Sequence, residues 1–127
     1  MKRQHISSGS KWEEIVGYSR AVRIGNCIEV SGTTAIREGE LQGKGDVYTQ
    51  SKVCLEIITE AINKAGGTLN DVTRTRIYVT DISKWELVGK AHGEVFGLIK
   101  PATTMIQVSA LIDPEILVEI EATAVIS

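Results

Sequence analysis

Glu119 and Glu121 are the residues of this chain best placed to do chemistry. They stand two apart in a run of strand composition, so they point the same way. Val118, Ile120, Ala122 and Ala124 point the other way and read as core. A carboxylate on a sheet face can act as a general base or orient a water. The run after Pro101 alternates too, with Thr104, Ile106 and Val108 against Thr103, Met105 and Gln107. The expectation is one oily face and one that gathers acid, amide, hydroxyl and thioether, with Thr103 and Met105 beside the two carboxylates. A merely wet face explains that mixture. So does a face half buried against another subunit around a small polar site.

Other chemistries find little footing. Ser31 and the cysteines have no base at a recognisable spacing, so a nucleophilic triad is unsupported. Gly43-Lys44-Gly45 lacks the spacing and the Ser/Thr of a phosphate loop. His5 and His92 form no metal-ligand cluster, and His92 on a helix stripe reads as a core histidine. No metal and no cofactor is expected.

The elements that must position these residues are legible. Tyr18 to Ile24 and Cys27 to Thr33 read as strands joined by Gly25-Asn26, a hairpin signal. Loop follows around Gly39, Gly43 and Gly45. Asp46 then caps a helix to about Ala65, whose apolar residues Cys54, Leu55, Ile58, Ala61 and Ile62 recur at helical spacing. Gly66-Gly67 stops it. Val72 to Val79 has strand composition. A second helix is expected from Ser83, with Ser83 and Glu86 as a capping box. Trp85, Val88, His92, Val95 and Phe96 form its inner stripe, and Gly97 ends it. The two C-terminal strands follow. This order suits a two-layer α+β domain with two helices on one face of a mixed sheet. Leu117, Val125 and Met105 make the other face more apolar than solvation needs, which points to packing between copies with closed symmetry.

The totals agree. A chain of 127 residues is one domain, 1–127, with a thin core that oligomerisation would supplement. Hydrophobic residues make up 43% and the net charge is −2, which favours neither a nucleic-acid nor a membrane partner. No apolar run approaches a membrane span, and none follows Met-Lys-Arg-Gln-His as a secretory leader would require. The cytoplasm is the expected location. Cys27 and Cys54 are expected to be buried small hydrophobes.

Several stretches together resemble one known family. They are Gly17-Tyr18 through Asn26, Val30-Ser31-Gly32-Thr33, Ala65-Gly66-Gly67 with Leu69 to Val72, Tyr78 to Ile82, Pro101-Ala-Thr103, and Val118 to Ala122. In that order and spacing the chain resembles the Rid (YjgF-type) family of small trimeric proteins, members of which are also labelled endoribonucleases or translation inhibitors. The resemblance implies a chorismate-mutase-like fold with a six-stranded mixed sheet and two helices on one side. It also implies a homotrimer built as a barrel, with ligand clefts between subunits. The deaminase branch hydrolyses enamine and imine intermediates to a 2-oxo acid and ammonia without metal or cofactor.

Carried onto this chain, the resemblance makes Glu121 the catalytic acid that positions water, and makes Tyr18, Ser31, Gly32, Thr103 and Met105 the substrate-binding residues. Glu119 is expected to be structural. One departure stands out: where the deaminases have an arginine to grip the substrate carboxylate, this chain has Thr103. A hydroxyl is no fork of charged donors. Arg20, Arg74 and Arg76 are the candidates to replace it. Two functions therefore stay open. One is a hydrolase of a carbonyl or imine-type metabolite; the other is a non-catalytic metabolite-binding or regulatory trimer. An endoribonuclease is expected less, for want of a cationic surface.

Overall fold

Period-2 runs pair into one sheet and two period-3.6 runs cover one side of it. The structure is a computed structural model and describes residues 2–127; Met1, the first residue of the expected domain, lies outside the described residues. The chain runs β1 (Arg3–Ile6), α1 (Lys11–Val16), β2 (Ala21–Ile24), β3 (Cys27–Thr33), β4 (Ile36–Arg37), β5 (Glu40–Leu41), α2 (Val47–Lys64), β6 (Val72–Val79), α3 (Trp85–Phe96), β7 (Ala102–Gln107) and β8 (Val118–Val125). The main sheet has six strands in the order β1-β2-β3-β8-β6-β7. Only β6 and β7 pair in parallel, so the sheet is mixed, and α3 makes the crossover between them. The expected α+β architecture is present. Its sixth strand is β1, which the residue pattern did not signal.

The core lies between the sheet and the two long helices. Leu55, Ile58 and Ile62 of α2 and Val88 and Phe96 of α3 are buried against Ile28, Val30, Ile77, Val79, Val118 and Ile120. Asp46 caps α2 as expected, its carboxylate accepting from the Thr49 N–H at 3.1 Å. Gly66 turns the chain out at φ +96°, a conformation that suits a residue without Cβ.

Four expectations are corrected. Ser83 does not cap the second helix: Asp81 caps a short 3-10 turn over Ile82–Lys84, taking both the Ser83 N–H and its hydroxyl, and α3 begins only at Trp85. Trp85 is not on the inner stripe but 55% exposed. Cys27 is exposed, because it alternates out from the buried Ile28; Cys54 is buried, and burial raises its thiol. The fourth correction concerns β7. Its register sets Thr103 beside Thr75, Met105 beside Ile77 and Gln107 beside Val79. These partners face the helices, so Thr103, Met105 and Gln107 do too, while Thr104 and Ile106 share the uncovered face with the carboxylates. Alternation alone cannot say which of its two sets is inward on an edge strand whose residues are nearly all exposed.

Candidate functional site

The uncovered face of the sheet carries a row of polar side chains. Across the β6–β8 pair, Arg76 faces Glu121 and Tyr78 faces Glu119. Tyr78 donates its phenol proton to Glu121 Oε1 at 2.5 Å, and Arg76 Nη1 stands 3.6 Å from Oε2. Both oxygens of Glu121 therefore have partners within the chain. The carboxylate in turn holds the Tyr78 phenol above its ordinary range.

Glu119 is in a different condition. Among the described residues no donor hydrogen-bonds to it. Burial raises its carboxyl; Arg20 acts against that shift and Glu121 adds to it. Its carboxylate reaches over Gly32, where any Cβ would overlap Oε2. Gly32 belongs to a bulge: Val30 pairs with Ala122 and Thr33 with Ile120, so Ser31 and Gly32 together oppose one residue of β8. The bulge and the missing side chain make the hollow that Glu119 enters.

Arg20 and Tyr18 complete this end of the face. Arg20 Nη2 donates to the Gly32 carbonyl at 2.5 Å, and the guanidinium carbon lies 6.0 Å from the centre of the Tyr18 ring. Tyr18 lines a shallow cleft of about 280 Å³ with Ser7, Ser10, Glu13 and Ser19. Burial alone would raise the Glu13 carboxyl, but hydrogen bonds from Ser8 and Ser7 outweigh it and hold that group below its usual range.

Of the residues expected at a site, Tyr18, Ser31, Gly32 and Glu121 lie on or beside this face. The Ser31 hydroxyl is committed, donating to the Ser19 carbonyl at 2.7 Å, which leaves its role to the backbone of the bulge. Thr103 and Met105 are elsewhere. Met105 packs on the core, and Thr103 accepts from the buried Thr75 hydroxyl at 2.7 Å, with His92 Nε2 2.8 Å from that same hydroxyl. Glu119 was expected to be structural and Arg20 to be one of three candidate cations; the fold brings both to Gly32. The available signal was Gly32: a glycine inside a strand run marks a close approach by something else.

A two-layer α+β domain with one face of a six-stranded mixed sheet uncovered is a fold that known proteins share. The family model for Endoribonuclease L-PSP matches residues 9–126, and the chain belongs to that family, the YjgF/Rid family. A crystal structure from Mycobacterium tuberculosis, of a member of the highly conserved YjgF/YER057c/UK114 family, is similar at 50% identity and a TM-score of 0.90. That match covers 98% of this chain and 100% of the other. The 3-aminoacrylate deaminase RutC of Acinetobacter baylyi is 32% identical over 108 residues, 84% of this chain and 85% of its own length. An uncharacterized protein of Streptomyces coelicolor is 40% identical over 121 residues, 95% of this chain and 90% of its own. Among the described residues no helix is long and apolar enough to cross a membrane, and no group of three or more acidic, histidine or cysteine side chains is placed to hold a metal.

Proposed function

We propose that this chain hydrolyses a small imine or enamine, with Glu119 as the working carboxylate, in clefts formed where copies meet as a homotrimer. One observation carries the reading: the half-buried Glu119 carboxylate, unpartnered among the described residues, lies over the hollow left by Gly32. The role first expected of Glu121 moves to Glu119, because Glu121 already accepts from Tyr78 and faces Arg76. In the step, Glu119 takes a proton from water as the oxygen adds to the imine carbon. Glu119 returns that proton to the nitrogen, the hydroxyl proton of the adduct follows by the same carboxylate as the carbon–nitrogen bond breaks, and a carbonyl compound and ammonia leave. A carboxyl raised by burial is nearer neutrality in its proton affinity, as such a shuttle needs.

The deaminase named among the relatives supports the chemistry. Exposed Ile106 and Val125 on the uncovered face support its burial against other copies. Thr103 and Met105, expected to bind substrate, turn toward the helices and away from the uncovered face. The endoribonuclease in the family's name draws less support here, because the net charge is −2 and Arg76 faces a carboxylate.

The test offers an enamine generated in the assay by a pyridoxal-phosphate-dependent lyase acting on serine, and reads ammonia release above the spontaneous rate. Wild-type protein is expected to accelerate release, Glu119→Gln to lose about 10²-fold or more, and Glu121→Gln to keep most of it. Unchanged release by Glu119→Gln would overturn the assignment. The second reading, a binding or regulatory trimer, rests on Thr103 standing where the resemblance expects an arginine. Thermal stabilisation by a 2-oxo acid with no acceleration of ammonia release would favour it.

A further inference from the structure

We propose that Arg20 is the anion-holding residue of this site, so that the ligand is a carboxylic acid gripped from the residue just before β2 rather than from the β7 position where the resemblance expects an arginine. The inference rests on the functional reading above and supplies its specificity.

The backbone of Arg20 is fixed on both sides: its N–H donates to the Ile6 carbonyl at 2.8 Å, and its carbonyl accepts from the Ser31 N–H at 3.0 Å. The next residue, Ala21, is fully buried in the core, so Arg20 turns to the uncovered face. There its guanidinium is largely desolvated, and that desolvation lowers its proton affinity. Of its five N–H donors, Nη2 reaches the Gly32 carbonyl. Nε is buried and has no acceptor among the described residues. No carboxylate of those residues lies within 4.0 Å of the guanidinium.

A desolvated cation without a contact counter-ion is an expensive thing to build. The two acids whose field it feels, Glu13 and Glu119, do not discharge the debt. Glu13 is taken by Ser7 and Ser8, and Glu119 reaches over Gly32 without touching Arg20. What remains is a planar fork with free donors, which a carboxylate matches in shape and charge.

The placement suits the chemistry as well. In an α-imino acid, or the enamine that tautomerises to it, the reacting carbon bears the carboxylate, so the group that grips the acid must adjoin the group that handles the water. Arg20 and Glu119 meet at the same glycine. The other candidate cations do not: Arg76 faces Glu121 at 3.6 Å, and Arg74 sits beyond it along β6, opposite Thr123.

The experiment compares binding of 2-oxobutyrate and its neutral amide, 2-oxobutanamide, by calorimetry. Wild-type protein should bind the acid at least about tenfold tighter than the amide, a difference of about 1.4 kcal/mol. Arg20→Lys should keep part of that preference, and Arg20→Gln should lose it. Should the glutamine variant fail to fold, the wild-type comparison and the lysine variant still decide. No binding of the acid, equal binding of acid and amide by the wild type, or a preference that survives in folded Arg20→Gln overturns the proposal. Ammonia release that depends on Glu119 without any preference for the acid would sink this inference alone. Acid preference without ammonia release would sink only the hydrolase reading.

Discussion

The Glu119 carboxylate occupies the space that a side chain at residue 32 would fill. Two strands of the sheet are matched there, one supplying the acid and the other an absence. The backbone at Gly32 needs no left-handed conformation, so its lack of a side chain serves this approach and not a turn.

Gly32→Ala is therefore expected to separate stability from function. The atom it would meet is the flexible far end of Glu119, which can swing away, and alanine is slightly better than glycine within a strand. Urea unfolding should show a change within about 1 kcal/mol. Ammonia release should fall as far as in Glu119→Gln. A variant with full activity would mean that Glu119 works from another position.

Glu119 also imposes a pH dependence. Its folded carboxyl lies above the ordinary 4.5, chiefly through burial. Between 4.5 and the folded value the native state binds more protons than the unfolded chain, so stability falls as pH rises through that window. Glu119→Gln should flatten that decline and leave the protein more stable than wild type at neutral pH. Denaturation series across the window check it; parallel curves for the two proteins would contradict the assignment.

Tyr78→Phe removes the donor to Glu121 Oε1 while keeping the ring. Both groups are partly exposed and water competes for them, so the expected loss is about 1 kcal/mol in urea. The phenol of Tyr78 should ionise above its ordinary 10.0, and Glu121→Gln should bring it back down. Ultraviolet titration of the tyrosines reads both.

Gln50 is fully buried and ties three backbone groups together. Its Nε2 donates to the Gly43 and Glu115 carbonyls at 3.2 and 3.1 Å, and its Oε1 accepts from the Leu117 N–H at 2.9 Å. Gln50→Leu would strand all three, at about 1–3 kcal/mol each, and should cost more than about 3 kcal/mol in all. A loss below about 1 kcal/mol would show that water takes over the contacts.

His92 is held below its ordinary 6.5 by burial. The charged form is thus disfavoured in the fold. Stability is full above 6.5 and is lost as pH falls from there through the folded value. His92→Gln keeps an N–H toward Thr75 and removes the titration, so its stability should be flat over that range. Thermal unfolding at several pH values measures the difference.

Much of the architecture was legible because its signals are local. Asp46, the helical spacing of Leu55, Ile58 and Ile62, and Gly66-Gly67 delimit α2 to within a residue or two. Gly25-Asn26 places the β2–β3 hairpin, and the β-branched run Val72–Val79 is strand β6 throughout. β1 and α1 were not legible: at four and six residues they carry too little periodicity and owe their form to docking on β2 and to the cap at Ser10.

The polar face was half legible for the same reason. Glu119 and Glu121 are bound to share a side, since alternation in a strand is dictated by chain geometry. Sequence alone determined that pairing, the two-layer class and the family resemblance. Tertiary structure alone decided the rest. The parallel register with β6 turned Thr103 and Met105 toward the helices. The bulge at Ser31-Gly32 opened a hollow for Glu119 and left Glu121 to Tyr78. Register and bulges are properties of pairs of strands distant in sequence, and pairing between strands is settled by how their faces pack, not by either strand's own residues.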